Sequence, residues 1–196
     1  MTALRRGWSL VELPGRRVAL PDRALHGLGI SPGSLVAPEV IGEAVRKYQP
    51  PAAANDAGRF LEKAEHTAAQ LRAYLLRRGY EPGTADDVVA WASGYGYVDD
   101  LRYANLYVQS HSGRSPMSVR RLGAELRRRG VPGGIVDSVL ADRDDECLFD
   151  RLVSEVRKKY GSLDRETAWR RGAAWLARRG FDSSLAYRVM KEAAGE

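Results

Sequence analysis

The sequence predicts an all-α protein of tandem three-helix repeats forming an elongated, curved body, with a small strand-containing extension at its N-terminus. Three observations predict it. First, one phrase occurs three times: Leu75-Leu76-Arg77-Arg78-Gly79, Leu126-Arg127-Arg128-Arg129-Gly130 and Leu176-Ala177-Arg178-Arg179-Gly180, with glycines 51 and 50 residues apart. A fixed period of that size marks a repeated supersecondary unit. Second, each phrase reads as a helix ending. A leucine packs inward, two arginines suit the negative end of the helix dipole, and a glycine takes the left-handed position, followed by Tyr80, Val131 or Phe181. Third, from residue 57 onward the apolar residues keep helical spacing.

The N-terminal segment reads differently. Trp8–Leu13 and Val18–Pro21 flank a Pro14-Gly15 turn and predict two short strands. Gly29–Val36 is a second loop-and-strand stretch, and Pro38 opens a helix through about Lys47. Gln49–Asp56, with Pro50 and Pro51, reads as a linker, so the extension is assigned to residues 1–55.

The first repeat, 56–112, carries Ala64, Ala68, Leu71 and Leu75 on one stripe, with Thr67 and Gln70 forming a capping-box pattern that would start a helix at Thr67 instead. Helices follow after Thr84 and after Asp99-Asp100. The second repeat, 113–162, opens on Ser115 as N-cap with Pro116 in the first turn. Val119, Leu122 and Leu126 form its stripe, Ile135–Leu140 its second helix, and a third helix follows Asp144-Asp145. The third, 163–196, holds Trp169, Trp175 and Leu176, then Leu185, Val189 and Met190, and is read as lacking its last helix.

Composition excludes several classes of protein. The chain has 196 residues and a net charge of +6, from 31 basic and 25 acidic residues. That balance is too mild to imply nucleic acid without local clusters. One cysteine, Cys147, excludes an intramolecular disulfide framework and a cysteine metal cage. No apolar run suits a membrane span or a signal peptide, so a cytoplasmic protein is expected.

The arginines lead the search for function. With Leu122 at the core, Arg120 and Arg127 fall on one outward shoulder of their helix and Arg121 and Arg128 on the other, offset locally by Glu125. Arg72, Arg77 and Arg78, and Arg170, Arg171, Arg178 and Arg179, continue the theme. Stacked in register, these helices would carry a basic stripe for a polyanion or an acidic protein. The competing reading is a solvated face whose arginines pair with nearby carboxylates.

Other constellations carry less. Asp99-Asp100 and Asp144-Asp145 read as helix caps rather than paired catalytic carboxylates, and Asp86-Asp87 as first-turn residues. His26, His66 and His111 share no ligand spacing, and Cys147 falls among core positions. Gly94-Tyr95-Gly96 follows a helix and lacks a third glycine, unlike a dinucleotide loop. Tyr95, Tyr97, Tyr103 and Tyr107 could stack bases but read better as packing between repeats. No catalytic, metal-binding or cofactor-binding constellation is found.

The stretch Gly96-Tyr97-Val98-Asp99-Asp100-Leu101-Arg102-Tyr103-Ala104 resembles the signature of the RecX family of RecA regulators. The resemblance continues through Arg121-Leu122, Glu125–Val131 and Ile135–Leu140, and covers about residues 60–190. Thr67–Gly79 fits the start of a family repeat, with Gln70 in place of Glu, and Leu28–Gly33 fits an N-terminal extension found in some members. Two departures stand out: Gly172 replaces the leucine found at Leu71 and Leu122, and the last helix is lacking. The resemblance implies a monomeric, non-enzymatic regulator without cofactor. It would lie in the groove of the RecA–single-stranded DNA filament and inhibit strand exchange, ATP hydrolysis and coprotease activity. It raises the weight of the arginine stripe. A direct DNA-binding regulator and a purely protein-binding scaffold remain as alternatives.

Overall fold

A computed structural model describes residues 2–5, 7–13, 15–112 and 116–195. Three strands, β1 (Thr2–Arg5), β2 (Trp8–Leu13) and β3 (Arg16–Pro21), form an antiparallel sheet in sequence order. Helices follow: α1 (Asp22–Gly27), α2 (Pro38–Leu61), α3 (Ala68–Arg77), α4 (Pro82–Gly94), α5 (Asp100–Ser112), α6 (Val119–Arg128), α7 (Gly133–Leu140), α8 (Phe149–Tyr160), α9 (Arg165–Arg178) and α10 (Ser183–Ala194). A 3-10 turn, Asp145–Leu148, precedes α8. The chain divides into two compact units, residues 1–100 and 101–196.

The first unit has two cores joined by α2. Val11, Val18, Leu20 and Leu25 pack with Ile41 and Ala44 from the first half of α2. Ala53 and Ala57 from its second half pack with Leu71, Leu75, Tyr80, Val88 and Ala92. The linker expected at Gln49–Asp56 is therefore corrected: it is the middle of a 24-residue helix. Prolines within a helix remove backbone hydrogen bonds and cost on the order of 3 kcal/mol. Local sequence argues for a break here, but burial on both flanks holds the helix together. Gln49 is fully buried, donates from Nε2 to the Ala19 carbonyl (2.8 Å) and accepts from the Glu81 N–H (2.8 Å). The Ala19 N–H in turn donates to the Gly79 carbonyl. The strands are thus built into the same unit as the first repeat phrase.

All three phrases end helices as the sequence predicts. Gly79, Gly130 and Gly180 have φ of 85°, 82° and 88°. The next N–H closes back on the phrase's leucine carbonyl: Tyr80 on Leu75, Val131 on Leu126 and Phe181 on Leu176. Thr67 and Ser118 are equivalent buried N-caps, 12 residues before the first two glycines. Thr67 forms the predicted capping box with Gln70. Ser115, expected as a cap, lies outside the described residues. Pro116 lies ahead of α6 rather than in its first turn, and Ser118 does the capping. In the third repeat Ala168 occupies the equivalent place, and Asp164 caps α9 instead, lengthening it by a turn.

The cores group the helices differently from the boundaries read off the phrase. α5, α6 and α7 share Ala104, Val108, Leu122, Leu126, Val136 and Leu140. α8, α9 and α10 share Leu152, Val156, Trp175, Leu176, Leu185 and Val189. Each phrase-bearing helix thus packs with the helix before it as well as the one after. The last group is complete, because α8 supplies the helix expected to be missing. Gly172 is buried, and a Cβ there would lie 2.6 Å from Met190 Sδ, so α9 gives up a leucine to admit a methionine from α10. Cys147 is exposed in the 3-10 turn, not in the core.

Candidate functional site

The eleven candidate arginines divide by what they touch. The last arginine of each phrase turns inward, including Arg129, which is not among those candidates. Arg78 donates to Asp56 (2.8 Å), a carboxylate only 10% exposed that also accepts from the Tyr80 hydroxyl at 2.6 Å. Arg129 binds Glu125 (2.5 Å) and lies over the Tyr107 ring. Arg179 lies over Trp175 and donates to the Pro116 carbonyl. These are packing groups: a planar guanidinium covers an aromatic face while its donors satisfy oxygens.

Four more are held by surface pairs. Arg72 makes a two-point pair with Asp86 (2.6 and 3.3 Å), Arg127 pairs with Asp137 (2.6 Å), and Arg128 with Glu125 (2.7 Å). Arg121 lies 3.9 Å from Glu125. Because Arg128 and then Arg129 donate to it, Glu125 is held at a pKa of about 2. For these residues the solvated, carboxylate-paired reading holds. The predicted outward shoulders are real: Arg120, Arg127 and Arg128 are exposed while Leu122 and Leu126 are buried.

One group converges within the second unit. The start of α6 meets the end of α9. Arg121 Nη1 donates to the Arg178 carbonyl, Arg120 Nη2 to the Gly180 carbonyl (3.4 Å), and the Ser118 N–H to the Arg179 carbonyl (3.1 Å). A Cβ at Gly180 would lie 2.5 Å from Ser118 Oγ and 2.8 Å from Arg121 Cβ, so glycine permits the approach. Arg120, Arg121, Arg178 and Arg179 are therefore gathered from segments almost 60 residues apart. Burial is the main cause that lowers Arg179's pKa; Glu155 opposes it, and repulsion from Arg121 and Arg178 adds to it. The Nε of Arg121 is buried without a partner among the described residues. Arg170 and Arg171 on α9, and Arg77 on α3, are exposed and have no ion-pair partner among the described residues.

The acidic pairs do cap helices, but partly not their own. The Asp100 carboxylate accepts from the Ala68 N–H (2.9 Å), the first residue of α3. Asp145 accepts from Val119 (2.8 Å), the first residue of α6. Asp144 caps its own 3-10 turn. The tyrosines separate as well: Tyr103 and Tyr107 pack against the α5–α7 core, whereas Tyr95 and Tyr97 are exposed, against the expectation of packing. Sequence reasoning missed the Asp56–Arg78–Tyr80 triad because Asp56 had been placed in a linker. Its signal was an acidic residue on the helical register of Ala53 and Ala57.

Among the described residues, no helix is long and apolar enough to cross a membrane. No three His, Cys, Asp or Glu residues gather there as a metal site. The same geometry has relatives. Residues 53–91 match the first three-helix domain of RecX, and 99–140 the second. Both spans follow the helix groupings of the cores: the first starts within α2 and the second just ahead of α5, the helices before the first two phrases. A regulatory protein RecX from Amycolatopsis mediterranei is 36% identical over 129 residues, spanning 64% of this chain and 74% of that protein. The chain belongs to the RecX family. A regulatory protein RecX from Thermobifida fusca is 33% identical over 177 residues, 88% of this chain and 91% of its own. Among solved structures, a regulatory protein RecX superposes with a TM-score of 0.64 at 18% identity, covering 95% of this chain and 96% of that one. RecX from Lactobacillus salivarius superposes at 0.62 and 14%, covering 76% of this chain and 98% of its own. These two share the fold. As a RecX family member, the protein is a regulatory protein of three-helix domains.

Proposed function

We propose that this protein regulates RecA without enzymatic chemistry of its own, binding the RecA–single-stranded DNA filament in the cytoplasm as a monomer and inhibiting strand exchange, ATP hydrolysis and coprotease activity. The observation that carries the reading is the gathering of Arg120, Arg121, Arg178 and Arg179 where α6 meets α9, with exposed Arg170 and Arg171, which have no ion-pair partner among the described residues, on the same helix as Arg178. Clustered guanidinium groups bind phosphates and carboxylates through paired donors, and such binding weakens steeply as salt rises.

The contact residues differ from a simple stripe. Arg78, Arg129 and Arg179 support packing, and Arg72, Arg127 and Arg128 are engaged by carboxylates, so we assign the leading role to Arg120, Arg170, Arg171 and Arg178. Replacing these four by glutamate should leave the fold intact, because all are exposed and the contact that Arg120 gives up, to the Gly180 carbonyl, is a long 3.4 Å hydrogen bond beside the Ser118–Arg179 backbone bond that remains. It should abolish inhibition of DNA-dependent ATP hydrolysis by a RecA filament. A folded variant that inhibits at wild-type concentrations would overturn the assignment. A wild-type protein without effect on RecA filaments would overturn the function. A direct major-groove reader fits less well: α4 and α7, which follow the first two glycines, contain no Lys or Arg.

A further inference from the structure

α4 carries a surface of the opposite chemistry. Trp91, Tyr95 and Tyr97 are 44%, 71% and 56% exposed, yet their rings touch one another. Trp91 lies 5.6 Å from Tyr95 and 5.5 Å from Tyr97 between centroids, and the two tyrosines are 6.4 Å apart and close to parallel. Exposed aromatics in a contiguous group are unusual on a surface facing only water. Asp87, Trp91 and Tyr95 follow at steps of four, so they form one row along the helix. Asp87 is exposed and has no ion-pair partner among the described residues, in contrast to Asp86, which Arg72 engages.

The charge of this face selects its partner. In a chain of net charge +6, α4 has two aspartates and no lysine or arginine, and its last turn has no basic residue to offset the negative end of the helix dipole. Phosphates are repelled by such a surface, so stacking of nucleic-acid bases is disfavoured despite the aromatic rings. Successive guanidinium groups along a basic segment would find favourable partners along this row: the Asp87 carboxylate, the ring faces and the negative helix end, about 10 Å from Asp87 along the axis. We propose that Asp87, Trp91, Tyr95 and Tyr97 form a docking surface for an arginine-bearing basic segment of a partner protein. The surface works independently of the arginines assigned above: one face takes anionic groups and the other cationic ones.

The test uses the full chain and two fluorescent dodecapeptides, one alternating arginine with glycine and the other lysine with glycine. A labelled 20-residue oligothymidine serves as the nucleic-acid probe. Anisotropy should show the arginine peptide binding at least threefold more tightly than the lysine peptide. Trp91→Ala combined with Tyr95→Ala should weaken it at least tenfold, and Asp87→Asn at least threefold. Oligothymidine binding should not change in either variant. Circular dichroism should match wild type, since all these side chains are exposed. Failure of the arginine peptide to bind, or binding unaltered by the aromatic substitutions, overturns the proposal. Loss of oligothymidine binding in the aromatic variant makes the surface a base-stacking site instead. Sedimentation that reveals a dimer abolished by the same substitutions makes the occupant a second copy of this chain and overturns the partner assignment.

Discussion

Glu125 shows how one carboxylate organises its neighbourhood. It accepts from Arg128 and Arg129 and lies 3.9 Å from Arg121. Its folded pKa of about 2 lies below the ordinary 4.5, so the ionised form favours the folded state. That contribution is complete above the ordinary value and is lost as pH falls toward 2. Carbon-13 NMR of the carboxyl groups should find Glu125 still ionised at pH 3, and Arg129→Ala should move its titration up toward 4.5. Gly172 gives a second residue-scale prediction. Restoring the leucine found at the equivalent Leu71 and Leu122 should destabilise by about 1–3 kcal/mol through overpacking against Met190. Met190→Ala in the same chain should recover part of the loss in thermal melts.

Within α6, the buried and exposed faces differ sharply in what they contribute. Leu126 is fully buried, so Leu126→Ala should cost about 2–5 kcal/mol by leaving a cavity. Arg127→Ala removes an exposed pair with Asp137 and should cost about 0.2–1 kcal/mol. Denaturant midpoints in the reverse order would refute the assigned face. The start of the same helix is capped from outside by Asp145, and its two pH effects can be separated. Burial raises the Asp145 pKa above its ordinary value even though the Val119 N–H lowers it. A raised carboxyl pKa means the ionised form is disfavoured by folding, so this group's contribution weakens as pH rises through that pKa. Asp145→Asn keeps an acceptor for Val119 without the charge and should be at least as stable as wild type at pH 7. Asp145→Ala leaves the N–H unmet and should be less stable by about 0.5–1.5 kcal/mol.

At the scale of the molecule, the N-terminal sheet is a structural part of the first unit. Trp8 meets Tyr80 edge-on with centroids 5.6 Å apart, and Gln49 bridges β3 to the start of α4. Removing residues 1–55 would strip Ala53 and Gln49 from that unit and expose Tyr80. A fragment beginning at Asp56 should therefore lose the cooperative unfolding of residues 56–100, seen as a missing share of the helical transition. Gln49→Ala in the full chain should cost about 1–3 kcal/mol, because it strands a buried carbonyl and leaves the Glu81 N–H unmet. A fragment that melts like wild type would mean the sheet is dispensable.

Helix endings and inward faces were legible in the sequence because they depend on neighbours a few residues away. The three Leu-x-Arg-Arg-Gly phrases, the Thr67 capping box and the stripe through Leu122 and Leu126 are of this kind: backbone conformation and helical period determine them locally. Gln49–Asp56 was misread because its local signal, two prolines, is outweighed by burial against segments 30 residues away. The grouping of α8 with α9 and α10 escaped the repeat for the same reason, since periodicity marks where a unit recurs but not which flanking helix completes its core. In the site, the sequence by itself determined which arginines exist and which shoulder of α6 they occupy. Only the tertiary structure decided that Arg78, Arg129 and Arg179 turn inward, that Asp86, Asp137 and Glu125 engage three others, and that Arg120 meets the end of α9. A charge's availability depends on the partner within about 3 Å of it, and that partner is chosen by packing rather than by spacing along the chain.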